Sequence, residues 1–146
     1  MTENIASRML EFLTNDQKLF EIIQQITGCD RIGCFSGRMY RMMPGRDHYD
    51  SWHNDMLEHR MVAMSINLSE GFYSGGLLQI RDRHSQQILH EVANLGVGDA
   101  IVFRLAHSLQ HRVTNVEGAV PKTAFAGWFR SQPDFYQELR QASEIV

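Results

Sequence analysis

The stretch LQHRVTNVEGAVPKTAFAGWFR (residues 109–130) decides the fold class, because it holds two short apolar segments separated by turn residues. Its candidate strands are residues 111–116 and 123–130, and Glu117-Gly118 lies between them. Five candidate strands of the same character precede it, at residues 38–42, 61–68, 77–81, 87–92 and 100–104. Closely spaced strands without helices between them predict an antiparallel sandwich or jelly roll rather than a doubly wound sheet.

Helices are predicted on both sides of these strands. Between residues 2 and 27, apolar residues recur at steps of three and four, which is typical of two amphipathic helices. The junction falls at residues 14–16, with Asn15 or Asp16 as the N-cap of the second helix, and Gly28 stands where that helix should end. A third helix is predicted at about residues 133–143, with Pro133 in its first turn.

The composition fits one globular domain without a nucleic-acid or membrane partner. The chain has 146 residues, of which 43% are hydrophobic, and a formal net charge of −3 with both signs interspersed. Its first residues lack the basic start and apolar run of a signal peptide, and no apolar stretch reaches the ~20 residues that span a bilayer. We therefore expect a soluble, cytoplasmic protein. Cys29 and Cys34 match neither a redox pair nor a zinc ribbon, so free thiols are expected.

Three side chains have the chemistry of metal ligands. His53 and Asp55 lie two residues apart in SWHND (residues 51–55), so a strand would place them on the same face. His111 supplies a second imidazole from a distant part of the chain. Two histidines and one carboxylate on one face of an octahedral ion suit Fe(II) and leave positions open for a cosubstrate and dioxygen.

The context of these residues makes the metal hypothesis more specific than an isolated HxD pair, which also occurs by chance at exposed strand ends. Trp52 beside the pair offers an apolar wall, and His111 is followed by Val113 and Val116. The remaining histidines are His48, His59, His84, His90 and His107. Of these only His107 competes with His111, and it lacks the valines that follow.

The order and spacing of several short motifs resemble the Fe(II)/2-oxoglutarate-dependent dioxygenases, in the branch that includes the prolyl hydroxylases. The motifs run from residue 38 to residue 129 and are Tyr40 with Pro44-Gly45, the HxD pair, Gly75-Gly76-Leu77-Leu78, Gly98-Asp99, His111 with its valines, Lys122, and Gly127-Trp128-Phe129. The resemblance implies one oxygenase domain over residues 1–146. It would be mainly β, a double-stranded β-helix (jelly roll) core at about 36–130 with a helical N-terminal extension at 1–28 and a short C-terminal helix. His53, Asp55 and His111 would then hold Fe(II).

Lys122 takes the place of the basic residue that, in such relatives, pairs with the distal carboxylate of 2-oxoglutarate. A carboxylate held in an apolar pocket requires a cation, and lysine offers a point charge instead of the planar fork of arginine. Some relatives have a serine two residues after the basic position, where this chain has Ala124. Tyr40 is expected to supply the missing hydroxyl.

The reach of this lysine restricts the fold. In one flat hairpin, Lys122 would lie roughly 15 Å along the strand from His111, at about 3.3 Å per residue. A five-carbon diacid spans only about 5 to 6 Å. Residues 117–121 are therefore expected to carry the chain from one sheet to the other, as a jelly roll requires.

The resemblance implies an enzyme that decarboxylates 2-oxoglutarate and hydroxylates an unactivated C–H bond of a peptide, amino acid or small metabolite. Asp55 favours hydroxylation over halogenation, because halogenating relatives carry Gly or Ala at this position. Two alternatives remain, namely a non-catalytic cupin-like module that binds a metal or small acid, and a Zn(II) hydrolase with the same three ligands. The sequence does not determine whether the substrate is a peptide, a carrier-bound group or a small molecule. It also leaves open the oligomeric state and the roles of Arg81, Arg83, Arg104 and Arg112.

Overall fold

A computed structural model describes residues 5–47, 49–57 and 59–144 of the chain. Its helices are α1 (Ile5–Thr14), α2 (Gln17–Thr27) and α3 (Phe135–Ser143). Its strands are β1 (Cys34–Met42), β2 (Asp50–His53), β3 (Arg60–Asn67), β4 (Ser74–Gly75), β5 (Leu78–Asp82), β6 (Ile88–Val92), β7 (Ala100–Arg104), β8 (Leu109–Val113), β9 (Val116–Glu117) and β10 (Lys122–Arg130). None of the described helices has the length and apolar character needed to cross a membrane.

Eight of the strands form two four-stranded antiparallel sheets. The major sheet has the order β1-β10-β3-β7, the minor sheet has the order β2-β8-β5-β6, and the short strands β4 and β9 pair separately. This arrangement confirms the predicted mainly β, jelly-roll fold. All seven predicted strands are present, β7 with the predicted bounds and the other six with shifted ends, but β2, β4 and β9 were not predicted.

The crossing between the sheets falls where the reach argument placed it. The strand β8, which carries His111, belongs to the minor sheet, whereas β10, which begins at Lys122, lies in the major sheet. Residues 118–121 connect β9 to β10. Residues 109–130 therefore begin in the minor sheet and end in the major sheet, so His111 and Lys122 lie on opposite sides of the interior instead of side by side in one hairpin.

The helix ends follow from local hydrogen bonding. Asp16 is the N-cap of α2, since its carboxylate accepts from the Leu19 N–H at 2.9 Å, and Gly28 ends the helix in the left-handed region at φ 62°. The Asn15 side chain instead accepts from the Phe35 N–H and donates to the Phe35 carbonyl, which fixes the helix pair to β1. The third helix starts later than predicted, because Asp134 caps it and Pro133 precedes the cap.

Two apolar clusters divide the interior. The cluster beneath the helices contains Phe20 and Ile23 of α2, packed with Phe35, Phe125 and Phe129 of the major sheet. Along β10 the side chains alternate, so Phe125 and Phe129 point towards the helices while the even-numbered residues point towards the minor sheet. The second cluster lies between the sheets and contains Met42, Tyr73, Leu78, Val113 and Val116.

Candidate metal centre and its cavity

The two histidines of the candidate metal centre face each other across a strand pair. In the β2–β8 pairing His53 lies directly opposite His111, and their ring centroids are 4.3 Å apart. Residues at opposed positions of antiparallel strands project from the same face of the sheet. The unpredicted strand β2 is therefore the element that brings the two imidazoles together.

Asp55 completes the group. Its Oδ1 lies 3.5 Å from His53 Nε2, and its Oδ2 lies 3.2 Å from His111 Nε2. One ligand atom from each of the three residues can be chosen so that all lie within 4.8 Å of one another, and the described ranges contain no other group of three or more such ligands. The sequence predicted that one strand carries His53 and Asp55 on the same face. This prediction is wrong, because β2 ends at His53 and strand alternation therefore does not position Asp55.

Asn54 explains how Asp55 reaches its position. Its side-chain amide donates to the carbonyls of Ala106 and Leu109, both at 2.8 Å, and its Oδ1 accepts from the Met56 N–H. These bonds tie the segment after β2 to the segment before β8. The tether holds the two ligand-bearing parts of the chain in one arrangement, and the sequence patterns gave no indication of it.

Trp128 holds the carboxylate from the major sheet. Its indole N–H donates to Asp55 Oδ2 at 2.9 Å, and the guanidinium carbon of Arg60 lies 3.6 Å from the Trp128 ring centroid. A group that hydrogen-bonds a ligating carboxylate fixes the direction of its lone pairs and tunes its basicity. Trp128 is thus a positioning residue for Asp55.

Removal of this hydrogen bond has a measurable consequence. We expect Trp128→Phe to lower the affinity for Fe(II) about 10- to 100-fold, because the ring volume remains but Asp55 loses its fixed orientation. Anaerobic metal titration measures the affinity. Trp52→Phe is the matched control, because Trp52 lies on the outer side of the minor sheet, away from Asp55. Equal affinities of Trp128→Phe and the unchanged protein would contradict the assigned role.

The electrostatics of the three residues favour a bound cation. Burial opposes ionisation of Asp55, but hydrogen bonds from His111, His53 and Trp128 outweigh it and hold the Asp55 pKa well below its ordinary value. The hydrogen bond to Asp55 raises the pKa of His53 to about 9, although burial acts in the other direction. An ionised carboxylate between two imidazoles matches the two-histidine, one-carboxylate donor set of Fe(II) sites, so these residues fit the ion.

Trp52 and its neighbours lie on the outer side of the minor sheet. The guanidinium carbons of Arg81 and Arg112 lie 4.2 and 4.6 Å from the Trp52 ring centroid. Arg81 also donates to Gln110 Oε1, and Arg112 donates to Gln79 Oε1. The predicted apolar wall beside the metal is therefore wrong for Trp52, which instead anchors β2 to the neighbouring strands.

A cavity of about 570 Å³ opens from the three ligands and reaches Lys122. Its volume is within the usual range of small-molecule sites. Lys122 is only 5% exposed, and its ammonium donates to the Gly76 carbonyl at 2.8 Å. Burial lowers the Lys122 pKa to about 8. In the described part of the chain no carboxylate lies within 4 Å of this ammonium, so the cavity holds a buried cation without an ionic partner.

The Gly-Gly motif makes room for this lysine. Gly76 has φ 59°, and a Cβ there would lie 3.1 Å from Lys122 Cδ, while a Cβ on Gly75 would lie 2.1 Å from the Asn115 carbonyl oxygen. The ring of Tyr73, which the sequence did not single out, lies 5.5 Å from the Lys122 ammonium, and its hydroxyl donates to the Asn94 carbonyl. Tyr40 also lines the cavity, and burial raises its pKa.

The other candidate residues fall outside this site. His107, the competitor of His111, is exposed, as are His84 and His90, while His48 lies outside the described residues. Arg104 donates to the carbonyls of Thr27 and Gly28 at the end of α2. Met42 and Met64 line the cavity.

A jelly roll that presents two histidines and one aspartate to a cavity defines the architecture of a non-haem iron oxygenase. The chain belongs to the 2OG-Fe(II) oxygenase superfamily, whose sequence model matches residues 37–130. This match confirms the family that the motifs indicated. Fe(II), 2-oxoglutarate and dioxygen are the cofactor and cosubstrates of this superfamily.

Solved structures share the fold. An oxidoreductase of the 2OG-Fe(II) oxygenase family from Burkholderia pseudomallei has a TM-score of 0.66 and 17% identity, over 86% of this chain and 57% of its own. A prolyl-4-hydroxylase from Pseudomonas putida has a TM-score of 0.59 and 24% identity, over 80% of this chain and 62% of its own. The chain thus spans less than two thirds of the length of either protein. No curated protein matches the sequence.

Proposed function

We propose that the chain is a Fe(II)- and 2-oxoglutarate-dependent dioxygenase that hydroxylates an unactivated C–H bond of a peptide, carrier-bound or small-molecule substrate. The observation that carries this proposal is one cavity lined by the His53, Asp55 and His111 group and by Lys122, whose buried ammonium has no carboxylate partner among the described residues. A bound metal ion would account for the first feature, and an anionic ligand would account for the second. Residues 1–146 are proposed to form a single domain of this activity.

Each residue has a distinct part in the reaction. His53, Asp55 and His111 would hold Fe(II), and Trp128 would keep the Asp55 carboxylate directed at the ion. When bound, Fe(II) and 2-oxoglutarate allow dioxygen to be split between two products, one oxygen atom entering succinate as CO₂ leaves and the other entering the substrate C–H bond.

Lys122 would neutralise the distal carboxylate of 2-oxoglutarate, and we propose that the Tyr40 hydroxyl donates to the same carboxylate. Lys122 and Trp128 lie near the two ends of the cavity-facing side of β10. The cosubstrate would therefore lie beside this strand, with its distal carboxylate at the Lys122 end and its other end directed towards the metal ligands. The small side chain of Ala126, which lines the cavity, leaves it space.

Anaerobic titration with Fe(II) and 2-oxoglutarate tests this function. The oxygenase gives a weak visible charge-transfer band that disappears on exposure to air with formation of succinate. A non-catalytic binding module gives no succinate with any candidate substrate, and a Zn(II) hydrolase prefers zinc and ignores 2-oxoglutarate. Either of those results would overturn the proposal.

The pKa of Lys122 predicts how cosubstrate binding depends on pH. Above pH 8 the lysine of the free protein loses its proton, so we expect the Kd for 2-oxoglutarate to rise by up to about tenfold per pH unit. Calorimetric titration between pH 7 and 9.5 measures this change. In Lys122→Arg the guanidinium stays charged over this range, so the same rise should be absent. A rise of equal size in both proteins would assign the dependence to another group.

A further inference from the structure

The mouth of the cavity carries arginines that the site described so far does not use. Arg38, Arg41 and Arg60 line the cavity. The four arginines that the sequence had singled out lie elsewhere, because Arg81 and Arg112 hold Trp52, Arg104 binds the end of α2, and Arg83 is exposed. Candidate contacts to a charged substrate therefore come from the β1 and β3 strands of the major sheet.

Small residues lie beside Arg38 on the cavity side of the major sheet. It lies opposite Ala126 in the β1–β10 pairing, and Ala126 in turn lies opposite Ser65 of β3. All three line the cavity. Because neither Ala126 nor Ser65 fills the space beside the guanidinium, a substrate group of several atoms can enter next to it.

Arg60 brings a second guanidinium close to the metal ligands. It stacks on Trp128, whose indole binds Asp55. Burial lowers the Arg60 pKa, and the positive charges of Arg130 and Arg38 act in the same direction while Asp55 opposes them. Arg38 and Arg60 are therefore close enough to repel each other. Neither has a carboxylate within 4 Å in residues 5–47, 49–57 and 59–144.

Three acidic residues of the described chain line the cavity, and one of them, Asp55, belongs to the candidate metal centre. Asp47 precedes β2, and Asp50 is its first residue. Asp50 acts electrostatically on Lys122 and His53. Asp50 thus lies towards the proposed cosubstrate end of the cavity. Arg38 and Arg60 offer two forks of N–H donors that fit an oxyanion, while hydrogen bonds from His53, His111 and Trp128 hold the Asp55 carboxylate beside them.

We propose that Arg38 and Arg60 bind an oxyanionic group of the substrate, so that the enzyme selects substrates that carry a carboxylate or a phosphate near the C–H bond that reacts. This inference rests on the proposed oxygenase function. The anion would lie between the guanidiniums, which relieves their repulsion, and the adjoining carbon would lie over Ala126 beside the metal ligands. A neutral analogue would leave both guanidiniums unpaired.

Matched panels test the selection with the Fe(II)-loaded protein, 2-oxoglutarate and air, with succinate as the readout. One panel contains N-acetyl amino acids and their primary amides, and the other contains phosphate monoesters and their parent alcohols. We expect stimulation by members of one charged series and none by the neutral counterparts. The series that stimulates identifies the anion as carboxylate or phosphate. Stimulation by neutral compounds as strong as by charged ones, or by no charged compound, would overturn the inference.

Single substitutions test whether Arg38 binds the anionic group of the substrate. Arg38→Gln should raise the KM of the stimulating acid or ester by about 10-fold, and Arg38→Lys should restore part of the loss. Arg46→Gln is the control, since Arg46 is exposed and lies outside the cavity lining. An unchanged KM in Arg38→Gln would also overturn the inference. Failure of the oxygenase function itself is distinguishable, because it removes the charge-transfer band and succinate formation in the absence of any added substrate.

Discussion

Replacement of His111 by alanine is expected to abolish 2-oxoglutarate-dependent succinate formation and to lower the affinity for Fe(II) more than about 100-fold. Removal of a ligand's hydrogen-bond partner typically lowers metal affinity about 10- to 100-fold. Removal of the ligand itself is expected to lower it more. His111 is buried between His53 and Phe103, and its Nε2 faces Asp55. Anaerobic metal titration and a succinate assay measure the two effects.

His107→Ala is the matched control for this experiment. His107 lies four residues earlier, is exposed, and does not line the cavity. We expect it to retain the metal affinity of the unchanged protein. Because truncation of the buried His111 also leaves a small void, His53→Ala provides a second test at a half-buried position. Normal turnover in a folded His111→Ala or His53→Ala protein would remove the ligand assignment.

Replacement of Lys122 by methionine is expected to produce two effects of opposite kind. Binding of 2-oxoglutarate should weaken at least about 30-fold, which corresponds to about 2 kcal/mol, because the distal carboxylate would lose its buried cation. The free protein should nevertheless become more stable at pH 7 by about 3 kcal/mol, because a buried charge with no carboxylate partner among the described residues is replaced by an apolar chain of similar length. Calorimetric titration and chemical unfolding measure the two quantities.

The pH dependence of stability identifies the cause of the second effect. The folded-state pKa of Lys122, about 8, lies below its unfolded value, so protonation of the lysine favours unfolding. The cost is complete below pH 8 and decreases as the pH rises towards about 10.4. The stability advantage of Lys122→Met should therefore shrink between pH 8 and 10.4. A constant difference across this range would show that packing, and not charge burial, is responsible.

The sequence predicted the jelly roll and the grouping of His53, Asp55 and His111 because their signals are local or carry strong chemistry. The strands of the core have clear apolar runs, and the ligand residue types are rare in combination. It missed β2 because this four-residue strand, DSWH, contains a single large apolar side chain and is defined by its pairing with β8. It missed the contacts of Asn54 and Trp128 because their partners lie 52 to 73 residues away.

Periodicity also indicated α1 without indicating which of its sides is buried. Its residues Ile5, Met9, Phe12 and Leu13 are exposed, while Thr14 is buried and Leu10 packs against the core beneath the helices. The apolar stripe read from the sequence therefore does not face the sheet. The position of a helix on a sheet depends on the whole surface beneath it, which a pattern within the helix does not describe.

The direct opposition of His53 and His111 across two paired strands makes coordination sensitive to insertions and deletions. A slip of one residue between β2 and β8 would turn one imidazole outward and destroy the site, whereas a slip of two would keep the facing but separate the rings. Changes of length are thus tolerable in the loop before β2 only if the pairing is preserved. Iron binding at the proposed site would depend on alignment of backbone partners as much as on the identity of the ligands.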